Sequence, residues 1–295
     1  MALFGNPWRD LARIFASREA RRQLGGGGSI ALGAIALLAV IMVTTFASFL
    51  GGVDPNQIQP AERLKPPTWE HWMGTDMLGR DIYSRVLVGA RASLVIGVSV
   101  AVCASVAGLF LGLVSGFVRS TDRIIMRIMD GVMAIPSILL AIAVMAISGG
   151  SILNVIIAIT IAETPRVARL VRGVVLSLRE ESFVESAVAS SVGPLAIIRR
   201  HILPNTLAPL IVLGTYVCAS AMILEAALSF IGVGTPPHVP SWGNIMADGR
   251  AIWQIKPSII FYPAAFLSVT VLAINVLGDG LRDAIDPKTA RRSDI

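Results

Sequence analysis

The chain has 295 residues, a net charge of +6, 54% hydrophobic residues and 15% charged ones, with a mean hydropathy of +0.72. Soluble domains carry about 25% charged residues, so this composition excludes an ordinary water-soluble domain and predicts an all-α membrane protein. The basic residues fall in short clusters between apolar runs, not on an aromatic-interleaved face. That pattern reads as orientation in a bilayer and not as nucleic-acid binding.

Residues 1–29 carry five arginines and read as a cytoplasmic segment. The run 23–53 has no charge, exceeds a signal-peptide core and lacks a convincing small-residue cleavage site, so an uncleaved first transmembrane helix is predicted at 30–52. An extracytoplasmic loop follows at 53–91. A five-helix core is expected over 92–284, with a cytoplasmic tail at 285–295.

In the core, charge-free runs at 92–118, 201–224 and 257–278 are each long enough to span. The run 131–162 fits one long helix or parts of two, and Ser148-Gly-Gly-Ser151 at its middle is a turn signal. Counting two spans there gives six in all and places both termini, 119–127 and 166–200 on one side. Those segments, with Arg282 at the inner end of the last span, hold 18 of the 25 Lys and Arg residues, and the positive-inside rule makes that side the cytoplasm. The expected topology is therefore six transmembrane helices, N-in and C-in.

A charged residue at the bilayer centre costs about 2.5–3.5 kcal/mol on insertion scales, so Arg127 and Asp130 are placed near the inner interface. Glu163 and Glu225 either face the protein interior or reach water from a helix end. The run 226–247 contains Pro236, Pro237 and Pro240 and reads as part of an outer loop spanning 229–258. Pro136, Pro209 and Pro263 are expected to shape helices supported by their neighbours. Cys103 and Cys218 read as core residues, and Trp242 as an anchor at the outer interface.

Between the fourth and fifth spans, Ser182 and Glu185 have the spacing of a capping box. Phe183, Val184, Ala187, Val188 and Val192 share a face at helical spacing. Gly193 is suited to a left-handed helix end and Pro194 to the first turn of a second helix. That helix should stop near His201, because Pro204 pushes Leu203 toward an extended conformation. Physical reasoning alone makes this an interfacial hairpin held to anionic lipid by Arg199 and Arg200.

The same stretch, 182–205, resembles the EAA loop of bacterial ATP-binding-cassette importer permeases, whose pattern is E-A-A, three residues, G, nine residues, I, one residue, L-P. Glu185, Ala187, Leu203 and Pro204 match; Ser186, Ser191 and His201 depart, and Gly193 lies two residues beyond the expected glycine. "GTDMLGRDIYSRVLVGARASLVIG" at 74–97 is similar to the signature of the C-type partner in the dipeptide/oligopeptide permease group. It contributes Gly74, Thr75, Asp76, Gly79, Arg80, Asp81, Ser84 and Arg85. "EAALSFIGVG", "PSWGNIMADGR" and "NVLGDGLRDAIDP" resemble the same group. Read physically, Asp76, Arg80, Asp81, Arg85 and Arg91 should pair with one another and orient the second span.

The resemblance implies a type I importer permease fold with cytoplasmic coupling helices, in a bacterial inner membrane. Glu185, Ser186, Ala187, Ser191, Gly193, Arg200, Leu203 and Pro204 would form the ATPase-coupling loop. Implied partners are a second homologous permease as heterodimer, two cytoplasmic subunits that use ATP and Mg, an extracytoplasmic binding protein and a peptide. Nickel chelates, glutathione or sugars are alternative substrates, and a secondary transporter or a membrane scaffold are rival classes. The chain has no phosphate-binding G-x-x-x-x-G-K-[ST] loop, and its three histidines, His71, His201 and His238, look scattered and unmatched. No catalytic residue, metal or cofactor is expected on it.

Overall fold

The computed structural model of the protein describes residues 27–46 and 54–285. The expected N-terminal segment up to residue 26, the outer end of the first span at 47–53 and the tail from 286 onward lie outside the described residues. Helix α1 (Gly27–Thr45) leads to an irregular segment with one 3-10 turn (Pro60–Glu62). Then come α2 (Ile82–Phe117), α3 (Arg119–Met133), α4 (Ser137–Ser148), α5 (Ile152–Arg179), α6 (Ser182–Ala189) and α7 (Pro194–Ile197). The chain continues through α8 (Leu203–Ile231), α9 (Trp242–Gly249) and α10 (Ser258–Ile285). Among the described residues there is no strand, only an isolated bridge between Thr75 and Asp81.

By length and composition, α2, α10 and the continuous stretch Pro194–Ile231 can each cross a bilayer. Helix α5 has the length, 28 residues, but carries Glu163, Arg166, Arg169, Arg172 and Arg179. Helices α3 and α4 pass the same test only as a pair bent by 89°. The expected third span is therefore broken, and 119–127, expected as a loop, is helical. Pro136 explains the break: it offers no N–H to the preceding turn, and its own backbone is extended at φ −51° and ψ 131°. By contrast Pro165, Pro209 and Pro263 lie inside continuous helices.

The SGGS turn separates α4 from α5 as the sequence predicts. Gly149 has a φ of +78°, and the Ser151 hydroxyl caps α5 by accepting from the Asn154 amide at 3.1 Å. Asn154 in turn donates to the carbonyls of Ser148 and Gly149, at 2.7 and 2.9 Å.

The centre of the bundle is the pairing of α2 with α5. Gly108, Gly112 and Gly116 recur every fourth residue and so share one face of α2. Opposite them stand Val167, Val171 and Val175, all fully buried. Each glycine lets a valine occupy the place of its absent side chain, the close approach that small residues permit between membrane helices. Helix α1 packs against α10, with Gly33 seated on the backbone of Leu277. Because Gly33 is near the start of α1 and Leu277 near the end of α10, the two run antiparallel. Cys218 is buried, but Cys103 is exposed. The expectation of a core position fails there because Cys103 lies on the outward side of α2, among Val98, Val102, Val106 and Phe110.

Helix α2 begins at Ile82, well ahead of its charge-free run, because Asp81 caps it and Arg85 is paired within the fold. Its two ends mark opposite faces of the bundle. At one, Arg179 of α5 donates to the carbonyls of Gly116 and Phe117 at 2.9 and 3.3 Å and lies over the Phe117 ring. A cation there complements the carboxyl end of the α2 dipole. At the other end, the Trp242 indole donates to Val86 O at 3.0 Å.

Candidate coupling loop and extracytoplasmic cap

The loop after α5 is a helix, a corner and a second helix. Helix α6 starts from Glu181, which is extended and makes no side-chain cap, so the capping box is not formed. Ser182 is already helical, and its carbonyl accepts from the Ser186 hydroxyl at 2.7 Å. The corner is a Schellman turn: Val192 N donates to Ala187 O at 3.1 Å and Ser191 N to Val188 O at 3.0 Å. The left-handed residue is Ser191, at φ +59°. Gly193 is instead extended, at φ −62° and ψ 149°, and precedes α7 with Pro194 in the first turn. The bend thus sits where the EAA pattern places glycine, not two residues later.

Pro204 does not end the second helix. Leu203 stays helical at φ −56° and ψ −48°, with its N–H bonded to Ile198 O, in a π turn spanning Ile198–Ile202. The wider turn makes room for the proline ring, and Asn205 Nδ2 donates to the His201 carbonyl at 2.6 Å. Helix α7 therefore runs without interruption into α8.

The expected apolar face divides in two. Val184 is buried and Ala187 and Val192 are half-buried against the bundle, while Phe183 and Val188 point outward. Val188 is 60% exposed and Leu195 78%. Glu185, Ser186, Ser191, Gly193, Arg199, Arg200 and Pro204 are exposed beside them, and Leu203 is half-buried. The Phe183 ring meets His201 at 6.0 Å. Behind α6, a cavity of about 430 Å³ is lined by Phe117, Arg179, Val184, Glu185, Val188 and Ile197 among others.

At the opposite end, the 74–85 signature folds into a knot in which every member has a task. Gly74 and Gly79 both have φ near +74°, and a β-carbon on Gly79 would lie 1.8 Å from Gln59 O. Thr75 Oγ1 accepts from Lys65 N at 2.9 Å and donates to Glu62 O. Asp76 Oδ1 accepts from Leu78 N and Arg80 N at 2.8 and 2.9 Å. Its Oδ2 takes Arg80 Nε at 2.6 Å and Arg85 Nη1 at 2.7 Å. Asp81 Oδ2 accepts from Ser84 N at 2.7 Å, capping α2.

Within the signature Asp76 pairs with Arg80 and Arg85 as expected, whereas among the described residues Asp81 meets no arginine and Arg91 is exposed outside the network. Three partners come from elsewhere. His71, which looked unmatched, holds Asp81 Oδ1 through Nδ1 at 2.9 Å. Asp248, the Asp of "PSWGNIMADGR", receives Arg80 and Arg85 at 2.8 and 2.7 Å. Lys256 Nζ donates to Lys65 O and, at 2.8 Å, to Thr75 O. Burial pushes its ammonium below the usual lysine range, an effect that Asp76 opposes.

Trp242 is fully buried, so it is no interfacial anchor. It starts α9, which folds back between α2, α8 and α10. Its capping residue Ser241 belongs to a chain of hydroxyls that ends on a carboxylate. Glu225, 0% exposed, accepts from Ser93 at 3.1 Å and Ser229 at 2.9 Å. Ser229 bonds Thr235 at 3.0 Å, and Thr235 bonds Ser241 at 3.2 Å. Asn244 completes the set through Thr235 Oγ1 at 2.9 Å. Glu163, 3% exposed, accepts from Ser220 at 2.8 Å and lies 3.4 Å from Arg166. Both carboxylates therefore face protein and not water.

The family model for "Binding-protein-dependent transport system inner membrane component" matches residues 104–291, which include the whole loop 182–205. The chain belongs to that family. This importer permease is 49% identical over 94% of its length to the "Probable peptide ABC transporter permease protein" of Sinorhizobium fredii, covering 92% of that protein. It is 43% identical over 92% of its length to the dipeptide transport system permease protein of Alkalihalophilus pseudofirmus, covering 90% of it. A glutathione transport system permease protein of Escherichia coli is 42% identical over 96% of the chain and is covered to 91%. Among solved structures, an inward-facing MetNI methionine ABC transporter shares the fold with a TM-score of 0.58 at 20% identity, over 68% of this chain and 96% of that one. The permease is an inner-membrane component of an ABC importer.

Proposed function

We propose that this permease carries peptides inward as one half of a heterodimeric pathway, loaded by an extracytoplasmic binding protein and driven by two separate ATPase subunits docked on 182–203. The continuous helix from Pro194 to Ile231 carries this reading. Its 38 residues reach about 57 Å. Its inner end carries the exposed loop, and near its outer end Glu225 is tied to α2 through Ser93 and toward α9 through Ser229, Thr235 and Ser241. A displacement at the loop is thereby delivered to the outer cap as near-rigid motion, which suits alternating access. ATPase closure biases the two states by the difference in its contact with each.

The topology proposed is six crossings with both termini inside: α1, α2, α4 entered through its bend from α3, α5, α8 and α10. The arginines of the loop end support that orientation. Relatives named for peptides and dipeptides favour a peptide cargo, and the relative named for glutathione keeps that tripeptide among the candidates. A gradient-driven secondary transporter is disfavoured, because Glu163 and Glu225 are both engaged inside the fold.

The test is a Leu195→Cys substitution in a Cys103→Ser background of the assembled importer. A bifunctional thiol reagent is expected to link that site to an ATPase subunit bearing a surface cysteine. Modification of the residue by an impermeant reagent from outside intact cells contradicts the reading.

A further inference from the structure

The importer function leaves α3 without a task. Two ion pairs hold it to α5: a bidentate one between Asp122 and Arg172, at 2.5 and 2.7 Å, and a single contact between Asp130 and Arg169, at 2.7 Å. The acids stand eight residues apart, about 12 Å along α3, while their partners stand three apart, about 4.5 Å along α5. Helix α3 therefore crosses α5 obliquely instead of running beside it, in keeping with the 89° bend at its other end.

What it shows to the surroundings is a composite face. Arg119, Arg123 and Arg127 recur at four-residue spacing, so they form one stripe. All three are exposed, and none joins the ion pairs that fix the helix. Immediately beside them lie Ile124, 64% exposed, and Ile128, 56% exposed. A helix with arginines along one edge and large apolar side chains along the next is built to lie in a membrane interface.

We infer that α3 is an interfacial helix that binds anionic phospholipid of the inner leaflet, its three arginines on the headgroups and Ile124 and Ile128 in the acyl boundary. Charge complementarity selects this occupant: three guanidinium groups that join no ion pair among the described residues, on a surface that also carries two isoleucines, fit a phosphate sheet over hydrocarbon. The helix is clamped to α5, and α5 leads directly into the coupling loop. Anionic lipid then stabilises the position of the loop from which an ATPase would work. The inference takes only the choice of leaflet from the topology proposed above.

Native mass spectrometry of the detergent-purified complex, titrated with phosphatidylglycerol or phosphatidylcholine, tests it. Each arginine near an anionic surface strengthens binding about fivefold. Arg119→Gln/Arg123→Gln/Arg127→Gln is expected to weaken phosphatidylglycerol retention about a hundredfold and to leave phosphatidylcholine retention unchanged. Equal phosphatidylglycerol retention by the variant and the parent overturns the inference. A photoreactive amino acid at position 128 provides the second arm. Crosslinks to phospholipid support a lipid face, and crosslinks to an ATPase or permease subunit overturn it. Neither readout depends on transport, so a failure here is distinguishable from failure of the importer reading.

Discussion

Gly112 of α2 sits so close to Val171 of α5 that a β-carbon on the glycine would lie 2.6 Å from the valine Cβ and 2.8 Å from Ala168 O. Neither a β-branched neighbour nor a helix backbone can yield at that distance. Gly112→Val is expected to destabilise the permease by about 1–3 kcal/mol, the usual range for overpacking. Gly173→Ala on α5, with nothing within 4 Å of the added carbon, is the control and should be neutral or slightly stabilising. Thermal unfolding of the two variants in detergent checks the contrast.

Ser191 occupies a left-handed conformation that costs an L-residue about 1–2 kcal/mol. Ser191→Gly relieves that strain but frees the unfolded chain by about 0.4–1 kcal/mol. The expected net result is a gain of up to about 1 kcal/mol, seen as slower hydrogen exchange at the amides of Ser191 and Val192. Ser191→Val should accelerate exchange there.

Arg85 is buried with Nη1 shared between Asp76 and Asp248, while Nε and Nη2 have no hydrogen-bond partner. Asp76 is itself buried and serves two arginines and two amides, whereas Asp248 is partly exposed. Breaking a buried pair from one side costs about 3–5 kcal/mol. Asp76→Asn is therefore expected to unlock the segment 54–81 to protease, and Asp248→Asn to do so to a smaller extent. Equal protection in Asp76→Asn and the parent would falsify this assignment of the knot.

Much of this architecture is legible in residue order. Charge-free runs locate α2, α8 and α10 because a bilayer demands about 20 apolar residues from each span. The spacing of the 182–205 motif locates a helix, a corner at Ser191 and a second helix, because helix lengths on either side of a fixed bend set the distances between motif positions. What escapes is whatever depends on a partner distant in the chain. Asp248 lies 163 residues from Arg85, and Trp242 is buried only because α9 folds back onto Val86. Pro204 looked like a helix stop because the π turn that absorbs it is a backbone choice with no residue signature. The ladder Gly108, Gly112, Gly116 was readable as a small-residue face, and its four-residue period is the signal that would have paired α2 with a neighbour.

Coupling through 182–203 is the central claim, and Glu185 is the one charged residue of α6, exposed beside the outward Val188 and across a cavity from Arg179. Glu185→Lys reverses that charge without touching the buried Val184 or the corner. The decisive measurement is ATP-driven peptide uptake, with substrate-stimulated ATP hydrolysis, in proteoliposomes holding the complete importer. Uptake and stimulation are expected to fall to background while the variant permease still inserts and folds. Uptake and stimulation equal to the parent would contradict a role for this loop in driving transport.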